Sequence, residues 1–324
     1  MSCSRQPINL NTAIVADNKY DSEFPQQSVS KELTYVSNTV KKIDCLVFYM
    51  NYVFPPGNNI DRVQLNDSIV RFASIANEVT NESVTGTSTV IYQDTKQIGL
   101  ITCAHVIDFP DSLFSYYPED IGGLRVLAVK IKHQIFVAGL SQGEEVSIVI
   151  EDTKKDIAIL KKVLETQNEG INVLNLPVGN TKDLDWGSVV YIVGYPLGNL
   201  MVTNAIVSNP KKADNGTFLT NALYNRGISG SPVLSIRDGN SNFELVGMAS
   251  SASAQTIQFL RPEKDVPPQT NADGTYSGKL FPDQKKDINY GVTYSVSIEE
   301  ITGLIKNNKS LLEKEGFQYD LFFK

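Results

Sequence analysis

Residues 225–233, NRGISGSPV, place two glycines, two serines and a proline within nine positions. Glycine lacks the side chain that blocks unusual backbone angles, so Ser229, between Gly227 and Gly230, would be presented on a tight corner. The same composition is also typical of an ordinary hairpin turn. A catalytic role for this serine therefore depends on whether the rest of the chain contains partners for its hydroxyl.

A base for that hydroxyl is the first partner to look for, because serine is a poor nucleophile until an oriented base accepts its proton. The chain has two histidines, His105 and His133. His105 follows the apolar run LITCA, at a strand end where a base would be accessible. His133 lies within a strand beside Lys130 and Lys132, which favours a structural or solvated role. The sequence thus indicates His105 as the base.

A carboxylate that orients the histidine is the second partner. Asp156 begins the run DIAIL, where a single charge enters a wholly apolar segment. Such an aspartate either caps the strand or is buried and holds a partner, and its sequence context alone allows both. Asp108, Asp111 and Asp152 are alternatives, but their surroundings are typical of loops. Asp156 is therefore the favoured candidate.

The corner itself has two further features. The backbone N–H groups of Gly227 and Ser229 could converge on the negative oxygen that develops during acyl transfer, a large electrostatic contribution to such catalysis. Ser231 is an alternative serine, but it follows the turn instead of occupying its apex. Ser229 is therefore the predicted nucleophile, and Gly227 and Ser229 form the predicted oxyanion hole.

Short runs of β-branched and aromatic residues, separated by Gly, Asn, Asp and Pro, recur along the chain from about residue 65. This pattern is typical of an all-β sandwich or barrel. The runs are 68–75, 87–92, 98–106, 126–138, 146–152, 156–163, 188–195, 202–208, 231–236, 243–250 and 290–296. After them, Ser297 and Glu300 have the spacing of a capping box, which predicts a helix near the C-terminal end.

Three blocks resemble the signatures of trypsin-fold serine peptidases: TCAHV (102–106), DIAILK (156–161) and GISGSP (227–232). The order His, Asp, Ser also agrees with that family. The resemblance implies two six-stranded Greek-key β-barrels with a C-terminal helix. It also implies that His105, Asp156 and Ser229 form a catalytic triad between the barrels.

A closer resemblance is to the HtrA/Deg branch, carried by VYIVGYPLG (190–198), VTNAIVS (202–208) and TNALYNRGIS (220–229). It predicts an N-terminal extension over 1–60, a peptidase domain over 61–308 and a tail over 309–324. The barrels are expected over about 61–175 and 176–308, with an inserted surface loop at 256–288. No PDZ domain is expected after the closing helix.

Ile228 departs from the family pattern, in which Asp or Asn usually precedes the nucleophile. In digestive relatives that Asp pairs with a newly cleaved N-terminus, so Ile228 argues against this mode of activation. Ile228 could also leave the corner misfolded until a partner binds. Ser231 is a smaller departure, because a second Gly is commoner there.

The resemblance also implies a specificity pocket. Its base lies six residues before the nucleophile, at Leu223, and Ser250 and Ser251 lie in the strand that forms the pocket wall. Because Leu223 is not an acid that could bind Lys or Arg, we expect cleavage after small or aliphatic residues.

The expected function is that of a serine endopeptidase acting on proteins or peptides. The alternatives are a catalytically silent trypsin fold that serves as a binding module or scaffold, and an esterase. An intracellular peptidase needs restraint, so an activating or inhibiting protein partner is also expected.

The composition of the chain argues against several other classes of protein. The chain has 29 basic and 36 acidic residues and no long basic run, which argues against a nucleic-acid binder. Its longest apolar stretch, 43–54, is too short to span a bilayer, and no secretory signal is recognisable. Three cysteines, Cys3, Cys45 and Cys103, form no disulfide framework. A soluble cytoplasmic protein without metal or cofactor is expected, since Cys103 and His105 lack further ligands of their kind.

Overall fold

The computed structural model describes residues 17–25, 27–140, 145–164, 170–210, 216–239, 242–262 and 270–323. Strands of the first half form one antiparallel sheet in the order β4-β5-β1-β2-β3-β7-β6. They are β1 (Val40–Val53), β2 (Ala76–Gln93), β3 (Gln97–Thr102), β4 (Ser112–Tyr116), β5 (Leu124–Val137), β6 (Ser147–Asp152) and β7 (Ile157–Val163).

This sheet curls so that β5 approaches the chain just before β6. A β-bridge between Phe136 and Glu145 connects the end of β5 to the chain just before β6. Beside it, the N–H of Val146 donates to the carbonyl of Ile135 at 2.9 Å. The sheet thus curls into a barrel-like shape between β5 and β6, and β4 extends it beyond β5.

The second half forms a closed barrel in the order β10-β13-β12-β11-β8-β9. Its strands are β8 (Val189–Gly194), β9 (Met201–Asn209), β10 (Thr217–Thr220), β11 (Pro232–Ile236), β12 (Phe243–Pro262) and β13 (Leu280–Ser297). The helices are α1 (Ser30–Thr39), α2 (Asp67–Ala73), α3 (Ala104–Ile107), α4 (Ile298–Asn307) and α5 (Lys309–Lys314). The predicted all-β fold of two barrels with a C-terminal helix is confirmed.

The barrels are joined by apolar packing. Every residue of β3, β8 and β11 is buried, as expected for strands covered on both faces. One continuous cluster contains Leu160 of the first barrel, Val193 and Leu234 of the second, and Ile301 of α4. The side chain of Ser297 caps α4 by accepting a hydrogen bond from the N–H of Glu300, as its spacing predicted.

The predicted N-terminal extension over residues 1–60 is wrong for its last third. Residues 40–53 form β1, which lies inside the first sheet between β2 and β5. Side chains at alternate positions of β1, Ile43, Cys45, Val47 and Tyr49, are buried. This alternation is the sequence signal of a half-buried strand, and it was open to recognition from sequence. Residues 1–16, with Cys3, lie outside the described residues.

Two other segments differ from expectation. The run 68–75 was expected to be a strand, but it forms most of α2 because Asn66 caps the N–H of Ile69 at 2.9 Å. The predicted loop at 256–288 is instead largely a hairpin, in which β12 and β13 stay paired out to Pro262 and Leu280. Residues 263–269 of that segment lie outside the described residues.

The expected C-terminal tail is part of the first barrel's core. The rings of Phe317 and Phe322 lie 4.8 and 4.9 Å from the ring of Tyr92, and Leu312 is fully buried. No helix within the described ranges is both long and apolar enough to cross a bilayer.

Candidate active site

His105 lies on α3, a single helical turn that follows β3. Its neighbours Ala104, Val106 and Ile107 are buried and anchor the turn. The side chain of His105 is 47% exposed and therefore stands at the surface between the barrels. The three buried apolar neighbours thus hold the helical turn in place, and the imidazole of His105 projects from this turn.

Asp156 ends the turn between β6 and β7 with a φ of 58°, in the left-handed region. Its carboxylate oxygens each lie 2.9 Å from Nδ1 of His105. One of them also accepts the backbone N–H of His105 at 3.0 Å. Of the two roles open from sequence, strand cap or partner, the structure thus places Asp156 against the histidine.

Ser229 lies on the corner between β10 and β11. Gly227 and Gly230 have φ values of 99° and 94°, which L-residues rarely adopt. A Cβ on Gly230 would lie 1.9 Å from the carbonyl oxygen of Thr87, so only glycine fits there. The Oγ of Ser229 lies 3.0 Å from Nε2 of His105. The structure therefore brings all three predicted residues together.

The hydroxyl of Ser229 has a second neighbour, the carbonyl oxygen of Ser250 at 2.8 Å. A hydroxyl has one proton, so Ser229 donates either to this carbonyl or to His105. With neutral His105, Nδ1 donates to Asp156 and Nε2 accepts from Ser229. With Ser229 turned to Ser250, Oγ is left as an acceptor toward Nε2. The hydroxyl of Ser229 thus has two alternative acceptors, Nε2 of His105 and the carbonyl of Ser250.

Ser250 has a position that sequence reasoning did not assign to it. The Oγ of Ser250 donates to the carboxylate of Asp156 at 2.5 Å, and Ser250 is only 7% exposed. Burial alone would raise the pKa of Asp156, but hydrogen bonds from His105 and Ser250 and the charge of His105 outweigh it. The pKa of Asp156 therefore lies below its ordinary value, and the carboxylate is ionised at neutral pH.

The peptide between Arg226 and Gly227 has a defined orientation. The carbonyl of Arg226 accepts the N–H of Leu197 at 2.7 Å. Because the C=O and N–H of one peptide point in opposite directions, the N–H of Gly227 points away from Leu197. Within the described part of the chain, the N–H groups of Gly227 and Ser229 have no hydrogen-bond acceptor. Both donors are thus free to bind a negatively charged oxygen beside Ser229.

Comparison with known proteins identifies the family of this chain. Residues 86–248, about half of the chain, match the model of the trypsin-like peptidase domain. The chain belongs to the trypsin-like peptidase family.

Two solved structures are similar to this trypsin-like peptidase. One is a serine-to-alanine variant of the HtrA-type protease AlgW with a decapeptide, at 16% identity. The other is a serine endoprotease from Yersinia pestis, at 15% identity. Each comparison covers 90% of this chain and 68% of the other, with a TM-score of 0.44. No curated protein matches the chain.

In this trypsin-like peptidase, Ile228 anchors the corner in the second barrel. Its side chain is 3% exposed and belongs to an apolar cluster with Val190, Ala222 and Tyr224. Its N–H donates to the carbonyl of Asn225 at 3.2 Å. Apolar burial of Ile228 thus holds the corner against the second barrel.

Replacing Ile228 by alanine is expected to lower the free energy of unfolding by about 2–5 kcal/mol, because the change leaves a cavity under the corner. Urea denaturation followed by circular dichroism measures the loss. Leu223→Ala is the matched control, since Leu223 is 61% exposed and should change stability by less than about 0.5 kcal/mol. Equal losses in the two variants would contradict an anchoring role.

The structure does not bring the three predicted pocket residues together. Leu223 lines an open groove of about 620 Å³ together with Leu197, Met201 and other residues of β9. Ser250 lies under Asp156, and Ser251 is exposed on β12. Neither serine is among the residues that line the groove. No charged side chain lines it within the described chain.

Cys103, His105 and Asp156 are the only described group whose ligand atoms could meet at a metal ion, all lying within 4.8 Å of one another. The thiol of Cys103, however, donates to the carbonyl of Ala249 at 3.2 Å. Burial and the charge of Asp156 hold the pKa of this thiol well above its ordinary value. The thiol therefore keeps its proton, and the group is better suited to hydrogen bonding than to binding a metal.

His133 lies outside this site. Its Nε2 is 3.0 Å from the Sγ of Cys45, and its ring contacts that of Phe109. Burial, together with the charge of Lys130, lowers its pKa. These contacts agree with the structural role that its sequence context favours.

Proposed function

We propose that this chain is a serine endopeptidase in which Ser229, His105 and Asp156 act as a triad. The observation that carries the proposal is the hydrogen-bonded line from Asp156 through His105 to Ser229, with separations of 2.9 and 3.0 Å. Membership of the trypsin-like peptidase family supports the same chemistry.

The geometry fits an acyl-enzyme mechanism. Nε2 of His105 accepts the proton of Ser229 as Oγ forms a bond to the scissile carbonyl carbon. Asp156 stabilises the resulting imidazolium through Nδ1. The carbonyl oxygen becomes negatively charged and binds the N–H groups of Gly227 and Ser229. His105 then protonates the leaving amine. In the second half, His105 accepts a proton from the water that attacks the acyl carbon, and it returns this proton to Oγ of Ser229 as the bond between Oγ and the acyl group breaks.

The principal alternative is a silent trypsin fold that serves as a binding module. Its sequence rationale was that Ile228 could leave the corner misfolded. The buried Ile228 side chain and the two unpaired N–H groups support a formed oxyanion site instead. Cytoplasmic location and a regulatory partner remain predictions.

Labelling with a fluorophosphonate probe tests the proposal. The wild-type protein should form a covalent adduct, and peptide mass spectrometry should locate it on Ser229. Absence of any adduct in folded protein would support the silent fold. Comparison of peptide and ester turnover separates a peptidase from an esterase.

We further propose cleavage after small or aliphatic residues, because no charged side chain lines the groove at Leu223 in the described chain. A peptide library should show Ala, Val, Ile or Leu at the cleaved position. Leu223→Asp should then raise cleavage after Lys or Arg by at least about tenfold if Leu223 faces that residue. A library in which wild type cleaves mainly after Lys or Arg would overturn the preference. An unchanged profile in the variant would exclude Leu223 from the pocket.

A further inference from the structure

Thr87 of β2 belongs to the first barrel, yet two of its hydrogen bonds reach the catalytic corner of the second. Its backbone N–H donates to the carbonyl of Ser229 at 2.8 Å. Its Oγ1 donates to the carbonyl of Gly227 at 2.6 Å. The residue is completely buried, so water cannot replace these contacts.

The direction of the hydroxyl proton is fixed by a third contact. The N–H of Tyr195 donates to Oγ1 of Thr87 at 2.9 Å, which occupies the acceptor side of the hydroxyl. Its one proton is therefore directed to the carbonyl of Gly227. The carbonyl of Thr87 is engaged as well, because it accepts the hydroxyl of Thr102 at 2.7 Å.

These contacts fix the peptide between Gly227 and Ile228, which follows the predicted oxyanion donor, the N–H of Gly227. Gly227 has no side chain to restrict it, and its φ of 99° is one of several that glycine tolerates. When the carbonyl of Gly227 is fixed, the peptide between Arg226 and Gly227 keeps its orientation. That orientation is set by the hydrogen bond from the N–H of Leu197 to the carbonyl of Arg226. Loss of the Thr87 hydroxyl would leave the buried carbonyl of Gly227 and the partly buried N–H of Tyr195 without this partner, which favours rotation of the corner.

We propose that Thr87 is a positioning residue for the oxyanion hole, and that its hydroxyl holds the Gly227 carbonyl so that the N–H groups of Gly227 and Ser229 stay converged. This inference rests on the proposed peptidase function. It adds a side chain of the other barrel to the apparatus, so the oxyanion hole depends on contact between the barrels.

Thr87→Val removes the hydroxyl and keeps the shape, so it should lower kcat and the fluorophosphonate labelling rate by roughly 10- to 100-fold with little change in KM. Thr87→Ser retains the hydroxyl and should stay within about threefold of wild type. Thr89→Val is the matched control. Thr89 is equally buried on the same strand, and its hydroxyl lies 3.5 Å from the carbonyl of Gly230.

Affinity for a peptide aldehyde separates positioning from general damage, because the aldehyde forms an adduct whose oxyanion occupies the hole. In Thr87→Val this affinity should fall in parallel with kcat. Binding of an uncleaved peptide in a Ser229→Ala background should stay within about twofold. Thr87→Ala serves as the second hydroxyl-free variant if circular dichroism shows that the valine variant is unfolded.

Three results would overturn the inference. One is a folded Thr87→Val or Thr87→Ala protein that is labelled as fast as Thr89→Val. Another is a serine variant as slow as the valine variant, because the hydroxyl would then not be the cause. The third is a parallel loss of ground-state peptide binding. A wild-type protein that takes no label would overturn the proposed function itself, and the inference with it.

Discussion

Ser229→Ala is expected to lower kcat for peptide hydrolysis by about 10⁶-fold, the scale found when a triad serine is removed from another serine peptidase. The reason is that, in the proposed mechanism, Oγ is the atom that bonds to the scissile carbon, and no other hydroxyl lies within hydrogen-bond distance of His105 in the described structure. KM should change little, because substrate contacts outside Oγ are retained. Turnover of a quenched fluorescent peptide, with covalent labelling in parallel, measures the loss.

Ser231→Ala is the matched control for this variant. Ser231 is the alternative serine of the same corner, and its buried Oγ has no hydrogen-bond partner in the described structure. Removing an unpaired buried hydroxyl should leave kcat within about threefold of wild type and cost no stability. If Ser231→Ala lost activity and Ser229→Ala kept it, the assignment of the nucleophile would be wrong.

Asp156→Asn is expected to lower kcat by about 10⁴-fold. An amide keeps the shape of the carboxylate but can donate a hydrogen bond to Nδ1, which moves the imidazole proton to Nε2. His105 could then no longer accept the proton of Ser229. Asp152→Asn is the control, because Asp152 caps the N–H groups of Lys154 and Lys155 with an oxygen that asparagine retains. Comparable losses in the two variants would contradict a specific role for Asp156.

The Asp156→Asn variant also tests how the stability of the protein depends on pH. The pKa of Asp156 in the folded protein lies below its ordinary value, so the ionised group stabilises the fold above that ordinary value. This contribution is lost as the pH falls through the lower, folded pKa. The difference in free energy of unfolding between wild type and Asp156→Asn should therefore shrink below about pH 5. Urea denaturation at several pH values measures it, and a constant difference would refute the assignment.

The triad candidates could be predicted from sequence because each lies in a short motif whose local structure presents it. His105 follows a buried strand, and Ser229 lies between glycines that the corner requires. The barrels were likewise recognisable from runs of β-branched residues. Strand β1 was missed because its apolar stretch was considered only as a possible membrane span, for which it is too short. The alternation of apolar and polar residues along it already indicated a strand of a sheet.

Other features had no local signal. Thr87 lies among threonines of a strand, where threonine is common for its β-branched shape, so its contact with Gly227 appears only once both barrels are packed. Ser250 was assigned to the pocket wall, and its bond to Asp156 depends on the register of β12 in the other barrel. The groove at Leu223 depends on where β9 and the turn Pro196–Gly198 approach the corner.

His105 and Asp156 lie on the first barrel, whereas Ser229 and Ser250 lie on the second. The 3.0 Å between His105 and Ser229 is therefore also a measure of how the two halves of the molecule are aligned. A displacement of about 1 Å between catalytic groups can cost about 100-fold in rate. In the proposed mechanism, the packing between the barrels therefore fixes the catalytic distance. A substitution far from the site that tilts one barrel against the other is expected to lower the rate, as a substitution at the site does.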